Sequence, residues 1–198
     1  MPTDVARPIA AAASTRERED IVNKEAAVGP DCGDEVGMEP KRVVATEVAD
    51  STLWLCLERP NALGAISLDV LAELQAGFDL AEAREDIRSV VLTSTGRAFS
   101  AGADLKAIKE GGSSKDFRAV FGRLLDRIEA FDKPVIAAVN GVALAGGLEL
   151  ILACDVVIAA ESARVGDGHS NYGLLPGGGA SVRLPRLIGR NRALEMFY

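Results

Sequence analysis

The chain has 198 residues, of which 48% are hydrophobic, and carries a formal net charge of −7. This length is enough for one globular domain with a sizeable core. An acidic chain is poorly suited to follow a nucleic-acid backbone or an anionic membrane, and no apolar run has the length of a membrane span. We therefore expect neither nucleic acid nor a membrane among its partners.

Cysteine and histidine are too few and too scattered for a structural metal site. The three cysteines, Cys32, Cys56 and Cys154, form no CxxC pair, and the chain has one histidine. We therefore expect no metal site and no disulfide framework. Cys56 and Cys154 lie in apolar runs, which predicts buried thiols, a reducing compartment and hence a cytoplasmic protein.

Residues 1–40 differ in composition from the rest of the chain. They are rich in Ala, Asp, Glu, Arg, Gly and Pro and show no sustained apolar period. This pattern predicts a disordered N-terminal extension, with the folded core in residues 41–198. An alternative is that Met38 is the natural start. A transit peptide is disfavoured because such peptides avoid acidic residues, and this segment has several.

The first predicted elements are two strands and a helix. VVATEV at 43–48 and LWLCLE at 53–58 are typical of paired strands, with apolar residues alternating along the second. Ser67 can cap a following helix. The apolar stripe of that helix recurs at helical spacing and is expected to be buried: Leu68, Leu71, Leu74, Phe78 and Ala81.

Strands and helices continue to alternate toward the C-terminus. SVVLTS at 89–94 is predicted as a buried strand, VIAAV at 135–139 and DVVIAA at 155–160 as two more. A helix before Lys133-Pro134 has the apolar stripe Phe117, Val120, Phe121, Leu124, Leu125, Ile128 and Phe131. Asn140-Gly141 predicts a turn, and a short helix and a C-terminal helix at 187–198 follow. This alternation predicts an α/β layered fold.

Two segments rich in small residues could bind a ligand through their backbone. They are RAFSAGADLK at 97–106, where Asp104 can cap the next helix, and LAGGLE at 144–149. Small residues allow a ligand to approach backbone N–H groups closely, and a helix N-terminus favours negative charge. Together the segments could stabilise a carbonyl that becomes an enolate. Ordinary glycine turns remain the alternative.

Glu149 interrupts the most apolar stretch of the chain, AVNGVALAGGLELILACD at 138–155. Acidic residues are rarely fully buried unless they are paired. Glu149 could face solvent or pair with a distant arginine. It could instead act as a general base one turn from the candidate N–H donors, where loss of solvent would raise its pKa toward the working range.

Four segments resemble the crotonase family, the enoyl-CoA hydratase/isomerase superfamily. They are LERPNALGAIS, AFSAGADLK, KPVIAAVNGVALAGGLELILACDVVIA and GLLPGGGASVRLPRLIG, in the family's order, and the resemblance covers Val43 to the C-terminus. It implies a crotonase-like spiral of ββα units within the α/β class and a trimeric or other homo-oligomeric assembly. The implied substrate is an acyl-CoA thioester, so CoA belongs to the substrate and no separate cofactor is expected.

The resemblance also implies roles for particular residues. Ser100 and Gly146 match the positions that provide the oxyanion-hole N–H groups, and Glu149 matches the first catalytic glutamate. Ala62 matches a segment that touches CoA. The loop along the acyl-CoA corresponds to Ala101, Gly102, Ala103, Asp104 and Leu105.

His169 departs from the hydratase pattern, which has a second glutamate at this position. Imidazole could replace the carboxylate as the second acid–base group because it gains and loses a proton near neutral pH, with Asp167 orienting it. A polar loop residue bonded to the backbone is the alternative. The family also has a further helical part after the LIGR segment, so the resemblance implies that residues 41–198 form a C-terminally truncated core.

The resemblance implies an enoyl-CoA hydratase/isomerase-type enzyme that uses an oxyanion hole and a glutamate acid/base. Two alternatives remain open. His169 allows an acyl-CoA hydrolase or lyase of the same superfamily. The abrupt end at Tyr198 allows a non-catalytic acyl-CoA-binding fragment.

Overall fold

The computed structural model describes residues 42–111 and 114–198, so the predicted extension at 1–40 lies outside the described residues. The chain begins there with an antiparallel hairpin of β1 (Val44–Ala49) and β2 (Thr52–Leu57). Asp50 and Ser51 join the strands with φ of 48° and 62°. Positive φ at both central residues matches the right-handed twist of the flanking strands, as in a type I′ turn. The predicted strand pair is confirmed.

The strands form two sheets. The larger sheet adds β3 (Ser89–Ser94), β5 (Val135–Val139) and β7 (Val156–Ala159), in the order β1-β2-β3-β5-β7, and is parallel from β2 onward. The smaller, parallel sheet contains β4 (Ala98–Ser100), β6 (Val142–Leu144) and β8 (Arg164–Gly166). Consecutive strands therefore alternate between the two sheets from β3 to β8.

Helices follow the strands in a repeating order. They are α1 (Leu68–Ala83), α2 (Leu105–Gly111), α3 (Ser114–Glu129), α4 (Gly146–Leu152), α5 (Ala180–Ile188) and α6 (Arg190–Phe197), with short 3₁₀ turns at Pro60–Ala62 and Ser170–Tyr172. Three ββα units result: β3 and β4 precede α2 and α3, β5 and β6 precede α4, and β7 and β8 precede α5. Each unit adds one strand to each sheet. This arrangement matches the predicted α/β class of ββα units.

The core lies where α1 and α3 pack beside the larger sheet. Ser67 accepts a hydrogen bond from the N–H of Val70 at 3.3 Å, which confirms the predicted cap of α1. The prediction that Leu68 is buried is wrong, because this first helical residue is 43% exposed. Val70 is fully buried in the first turn, together with the predicted Leu71.

Phe131 packs into the core from outside its predicted helix. Helix α3 ends at Glu129, and the Phe131 ring meets Phe78 edge-on with ring centroids 5.0 Å apart. Beyond it, the Lys133 ammonium group donates to the backbone oxygens of Ala81 and Arg84 at the end of α1. The segment after α3 therefore provides hydrogen bonds to backbone oxygens at the C-terminal end of α1.

Several other boundaries differ from the sequence-based expectations. The C-terminal helical pattern at 187–198 is divided, because Gly189 has φ of 81° and separates α5 from α6. Cys56 and Cys154 are half-buried rather than fully buried. The strand predicted at 155–160 is present as β7, at the end of the sheet order, with Val156 and Val157 exposed.

Within the described ranges, no helix has the length and apolar character needed to cross a lipid bilayer.

Candidate active site

Two chain segments that match CoA-contacting segments of the crotonase family are joined by backbone hydrogen bonds. Ala62 ends the 3₁₀ turn, and just beyond it the N–H of Ala101 donates to the Leu63 oxygen at 2.9 Å. The N–H of Ile66 donates to the Gly102 oxygen at 2.8 Å, and the N–H of Asp104 donates to the Ile66 oxygen at 2.8 Å. Residues 62–66 and 101–104 therefore run side by side.

Asp104 has both carboxylate oxygens engaged within the protein. One oxygen accepts the N–H of Ala107 at 3.0 Å, which confirms the predicted cap of α2, and the other pairs with Arg59 at 2.8 Å. These partners hold the pKa of Asp104 below its ordinary value, with the Ala107 N–H the largest favourable contact. Arg59 also donates to the Ala65 oxygen at 2.6 Å. Asp104 thus links the two segments, whereas Leu105, which follows it, is exposed.

Ala103 and Gly146 bring two backbone N–H groups close together. The bonds on either side of Ala103 leave its own N–H directed away from Ile66. A Cβ built on Gly146 would lie 3.5 Å from the Ala103 nitrogen, and one on Gly102 would lie 3.1 Å from the Gly146 nitrogen. Neither N–H group donates to a protein acceptor within residues 42–111 and 114–198. Two unpaired donors therefore lie beside the N-terminus of α4.

Ser100 is the last residue of β4 and is fully buried. It is 0% exposed, and its hydroxyl group accepts the N–H of Gly102 at 3.2 Å. A Cβ on Gly147 would come within 2.3 Å of the Ser100 carbonyl oxygen, so glycine is required for α4 to pack this closely against β4. The structure thus encloses Ser100 between β4 and the first turn of α4.

The residue that precedes helix α4 has a strained backbone. Ala145 has φ of 49° and ψ of −115°, a conformation that non-glycine residues rarely adopt. Its N–H donates to the backbone oxygen of Asp167 at 2.7 Å. This bond joins the start of α4 to the segment that contains His169.

Glu149 lies in α4 and is 2% exposed. Its Oε1 atom accepts the N–H of Gly178 at 2.6 Å and the N–H of Ala180 at 3.3 Å. Its Oε2 atom lies 3.9 Å from Nε2 of His169. Burial raises the pKa of Glu149 above its ordinary value, while the Ala180 and Gly178 N–H groups and His169 oppose the rise. Glu149 therefore does not face solvent, and no arginine among residues 42–111 and 114–198 pairs with it.

Asp167 contacts His169 in the way that the sequence suggests. Nδ1 of His169 lies 2.7 Å from Oδ1 of Asp167, and the His169 N–H donates to Oδ2 at 3.1 Å. Asp167 is 2% exposed. The carboxylate therefore fixes the imidazole with Nε2 toward Glu149, and an Asp–His pair lies next to a second buried carboxylate.

Sequence reasoning missed the residues that surround Glu149. Gly178 and Ala180 bind Glu149 through backbone N–H groups, so their side chains carry no chemistry that singles them out. Arg183 in turn donates to the Gly178 carbonyl oxygen. The available signal was the run of glycines in PGGGA at 176–180, which is typical of a backbone that approaches another group closely. His169 and Glu149 lie 20 positions apart, and their contact is a result of the fold.

The chain matches the family model described as Enoyl-CoA hydratase/isomerase over residues 47–198. It is 43% identical over 145 residues to a probable enoyl-CoA hydratase of Bacillus subtilis (72% of this chain, 56% of that protein). It is 37% identical over 158 residues to the crotonyl-CoA hydratase of Syntrophomonas wolfei (78% of this chain, 61% of that protein). The chain spans a little over half the length of these curated relatives.

Solved structures are similar as well. The crystal structure of an enoyl-CoA hydratase from Bacillus anthracis has a TM-score of 0.74 and 38% identity, covering 79% of this chain and 62% of that one. A hydratase from Thermoplasma volcanium has a TM-score of 0.73 and 38% identity, covering 78% and 63%. These structures confirm the crotonase-like fold that the sequence motifs imply. The chain is a member of the enoyl-CoA hydratase/isomerase family.

Proposed function

We propose that the chain acts on an acyl-CoA thioester as an enzyme of the hydratase/isomerase type. The observation that carries the proposal is the buried Glu149 carboxylate, which has one oxygen bound by backbone N–H groups and the other directed toward His169. Its raised pKa suits a group that must both accept and return a proton. The two unpaired N–H groups of Ala103 and Gly146 lie at the start of the same helix.

In the proposed reaction the thioester oxygen accepts hydrogen bonds from the N–H groups of Ala103 and Gly146. These donors stabilise the negative charge that develops on that oxygen when water adds to the β-carbon or when the α-carbon loses a proton. For hydration, the oxygen of water bonds to the β-carbon as water loses a proton, and the α-carbon receives a proton. Glu149 and His169 exchange these two protons. For isomerisation, Glu149 alone moves a proton between two carbons.

Ala103 replaces Ser100 in this proposal as the first donor. The Ser100 residue is completely enclosed, whereas the Ala103 N–H is unpaired and adjacent to Gly146. Ala62 and the loop of Ala101, Gly102 and Leu105 would contact CoA, since they belong to the two hydrogen-bonded segments that contain Ala103. Asp104 would act indirectly, because both of its oxygens are bound within the protein.

A second candidate is hydrolysis or carbon–carbon cleavage of an acyl-CoA. The bond of 2.7 Å between Asp167 and Nδ1 of His169 favours it, because a carboxylate that orients an imidazole is the usual arrangement for activating water. In hydrolysis, water would attack the thioester carbonyl rather than the β-carbon, with CoA thiolate as the leaving group.

The wider setting belongs to the same proposal. We expect no metal or redox cofactor, because the thioester carbonyl is activated by backbone N–H groups.

We expect a homo-oligomer, a trimer in the first instance, and the exposed Leu175 and Leu187 side chains are available for contact with a second copy. Burial raises the pKa of Cys56 to about 11 and of Cys154 to about 12, which keeps both protonated. Both cysteines are free, and free thiols are usual in a reducing compartment, so we expect a cytoplasmic protein. Size-exclusion chromatography with light scattering tests the assembly.

Crotonyl-CoA is the first substrate to test, since one relative is named for its hydration. Hydration removes the absorbance of the conjugated thioester and yields 3-hydroxybutyryl-CoA, which chromatography identifies. Free CoA with release of the acid would support hydrolysis instead. Binding of acyl-CoA without any product, by a chain that is folded and of defined size, would favour the non-catalytic alternative and overturn the proposal.

A further inference from the structure

Ala145 has a backbone conformation that suits glycine better than alanine. Its φ of 49° and ψ of −115° match the first central position of a type II′ turn, which glycine usually occupies. Leu63 also has positive φ, but its ψ of 39° lies in the left-handed helical region that residues with a side chain can enter. Ala145 is therefore strained, and such residues persist where the surrounding structure holds them, often at functional sites.

Hydrogen bonds hold the backbone of Ala145 from two directions. Its N–H group donates to the backbone oxygens of Asp167 at 2.7 Å and of Gly166 at 3.3 Å, in the segment that leads from β8 to His169. Its carbonyl oxygen accepts the N–H of Glu149 in α4 at 3.0 Å. Ala145 thus joins the two segments that contain the candidate acid–base residues.

The peptide bond between Ala145 and Gly146 sets the direction of the Gly146 N–H group. The described residues contain no cis peptide bond, so the C=O and N–H groups of this unit point in opposite directions. Because the Ala145 oxygen points along α4 to Glu149, the Gly146 N–H points out of the helix. A change in ψ of Ala145 would turn both groups together, so the strained torsion determines where this N–H donor is aimed.

The Ala145 methyl group contacts the loop that contains the second N–H donor. A Cβ built on Gly102 would lie 3.0 Å from Cβ of Ala145 and 3.1 Å from the Gly146 nitrogen. Gly102 directly precedes Ala103, whose N–H is the other unpaired donor within the described residues. The methyl group therefore limits how closely this loop and the start of α4 can approach each other, and glycine at position 145 would remove that limit.

We propose that Ala145 is a positioning residue for the Gly146 N–H donor. Its strained backbone aims this N–H group, and its methyl group sets the separation from the Ala103 N–H group, so that both can bind one thioester oxygen. The proposal rests on the function proposed above for these two donors. It adds that the side chain at position 145 contributes to the rate, although it touches no reacting atom.

Ala145→Gly removes the methyl group and relieves the strain together. The melting temperature should rise by about 2–4 °C, because glycine adopts this conformation readily and the relief exceeds the effect of the added entropy of the unfolded chain. The value of kcat should nevertheless fall by about tenfold or more, with little change in KM, because a misdirected donor weakens binding of the transition state more than binding of the substrate. A fall in melting temperature would contradict the strain, and an unchanged kcat would contradict the positioning role.

Asp50→Gly is the matched control. Asp50 has φ of 48°, close to the value for Ala145, but it is exposed in the hairpin turn between β1 and β2, outside the candidate site. The substitution adds similar backbone freedom there, so kcat should stay within about twofold of the wild type. If Asp50→Gly lowers kcat as much as Ala145→Gly does, the loss comes from backbone freedom in general and the proposal is overturned.

A measurement without turnover tests the donor directly. The probe is butyryl-CoA labelled with carbon-13 at the thioester carbonyl, whose stretching frequency is followed by isotope-edited infrared difference spectroscopy. Two aligned N–H donors should polarise the carbonyl group and lower this frequency on binding. The decrease should be smaller in Ala145→Gly than in the wild type, and it should be unchanged in Asp50→Gly.

The two readouts separate this proposal from the proposed function. If the wild type binds butyryl-CoA but turns over no acyl-CoA, the proposed function fails, while the infrared frequencies still decide the role of Ala145. An equal decrease in the wild type and in Ala145→Gly overturns that role, even where kcat differs. A wild type that binds no acyl-CoA overturns both proposals.

Discussion

Glu149 is subject to two opposing influences on its charge. The surrounding apolar side chains remove it from water, which favours the protonated form, whereas two backbone N–H groups and His169 favour the carboxylate. Burial is the largest of these effects, and the pKa is raised. Such a carboxyl group can lose and regain a proton near the pH at which an enzyme works.

Replacement of Glu149 by glutamine tests its catalytic role. Glutamine preserves shape and polarity, so acyl-CoA binding should remain nearly intact. Turnover should fall by about two to four orders of magnitude, the usual contribution of a general acid–base group. Steady-state kinetics with crotonyl-CoA and a binding titration measure the two effects separately. Turnover close to that of the wild type would remove Glu149 from the mechanism.

The same variant predicts a pH-dependent change in stability. The ordinary pKa of the carboxyl group is 4.5, and the folded value is higher. Between the two values the folded state binds more protons than the unfolded state, so the contribution of Glu149 to the free energy of unfolding falls as pH rises. The unfolding free energy of Glu149→Gln minus that of the wild type should therefore increase as pH rises from about 4.5 toward neutrality.

Urea denaturation at a series of pH values measures this difference. The subtraction cancels the titration of carboxylates far from the site. A difference that decreases as pH rises would contradict the prediction, since it would mean that the N–H donors outweigh burial and that the folded state ionises Glu149 more readily than the unfolded state does.

Helix α1 shows how one glycine sets the distance between elements. A Cβ on Gly77 would lie 2.5 Å from Cδ2 and 2.9 Å from Cδ1 of Leu55 in β2. Leu55 is fully buried. The absence of a side chain at position 77 therefore lets α1 pack directly on the larger sheet.

Two helical glycines should respond to alanine in opposite directions. Gly77→Ala overpacks the core and should lower the free energy of unfolding by about 1–3 kcal/mol. Gly122 in α3 has no atom within 4 Å of its Cβ position, so Gly122→Ala should raise stability by about 0.5–1 kcal/mol through helix propensity. Thermal or urea unfolding checks both. A destabilised Gly122→Ala variant or a neutral Gly77→Ala variant would show that the packing at that position differs from the one described.

At the scale of the whole molecule, the two sheets bring distant segments to one place. The smaller sheet consists of three strands of three residues each, and all three precede segments of the candidate site. Strand β4 leads to Ala103, β6 to Gly146, and β8 to Asp167 and His169. Because parallel strands end at the same edge of a sheet, their C-terminal loops meet there.

The prediction for the N-terminal segment belongs to this scale too. If residues 1–37 are disordered, as their composition predicts, their removal should change neither the melting temperature nor the activity, because little apolar surface is lost. Differential scanning calorimetry and the crotonyl-CoA assay compare the shortened chain, starting at Met38, with the full one. A clear fall in melting temperature would show that the segment packs against the folded core.

The sequence by itself determined the elements with strong local signals. The strand pair of residues 43–58, helices α1 and α3 with their apolar stripes, the Asp104 cap and the Asn140-Gly141 turn all follow from periodicity and turn chemistry. The family also followed, because its glycine-rich segments occur in order. Strands β6 and β8 were missed because three residues are too few to show a period.

Only the tertiary structure decided how the site is assembled. The sequence singles out Glu149 and His169, yet the distance of 3.9 Å between them depends on the packing of α4 against the loop after β8. The Ala103 N–H is unpaired within the described residues, and the Gly178 N–H binds a carboxylate. Every residue except proline has a backbone N–H group, so residue type cannot reveal which of these groups are unpaired and which bind a side chain. Ser100 was expected to donate because it matches a family position that provides an oxyanion-hole N–H group. Its complete burial beneath Gly147 is a property of how β4 and α4 pack.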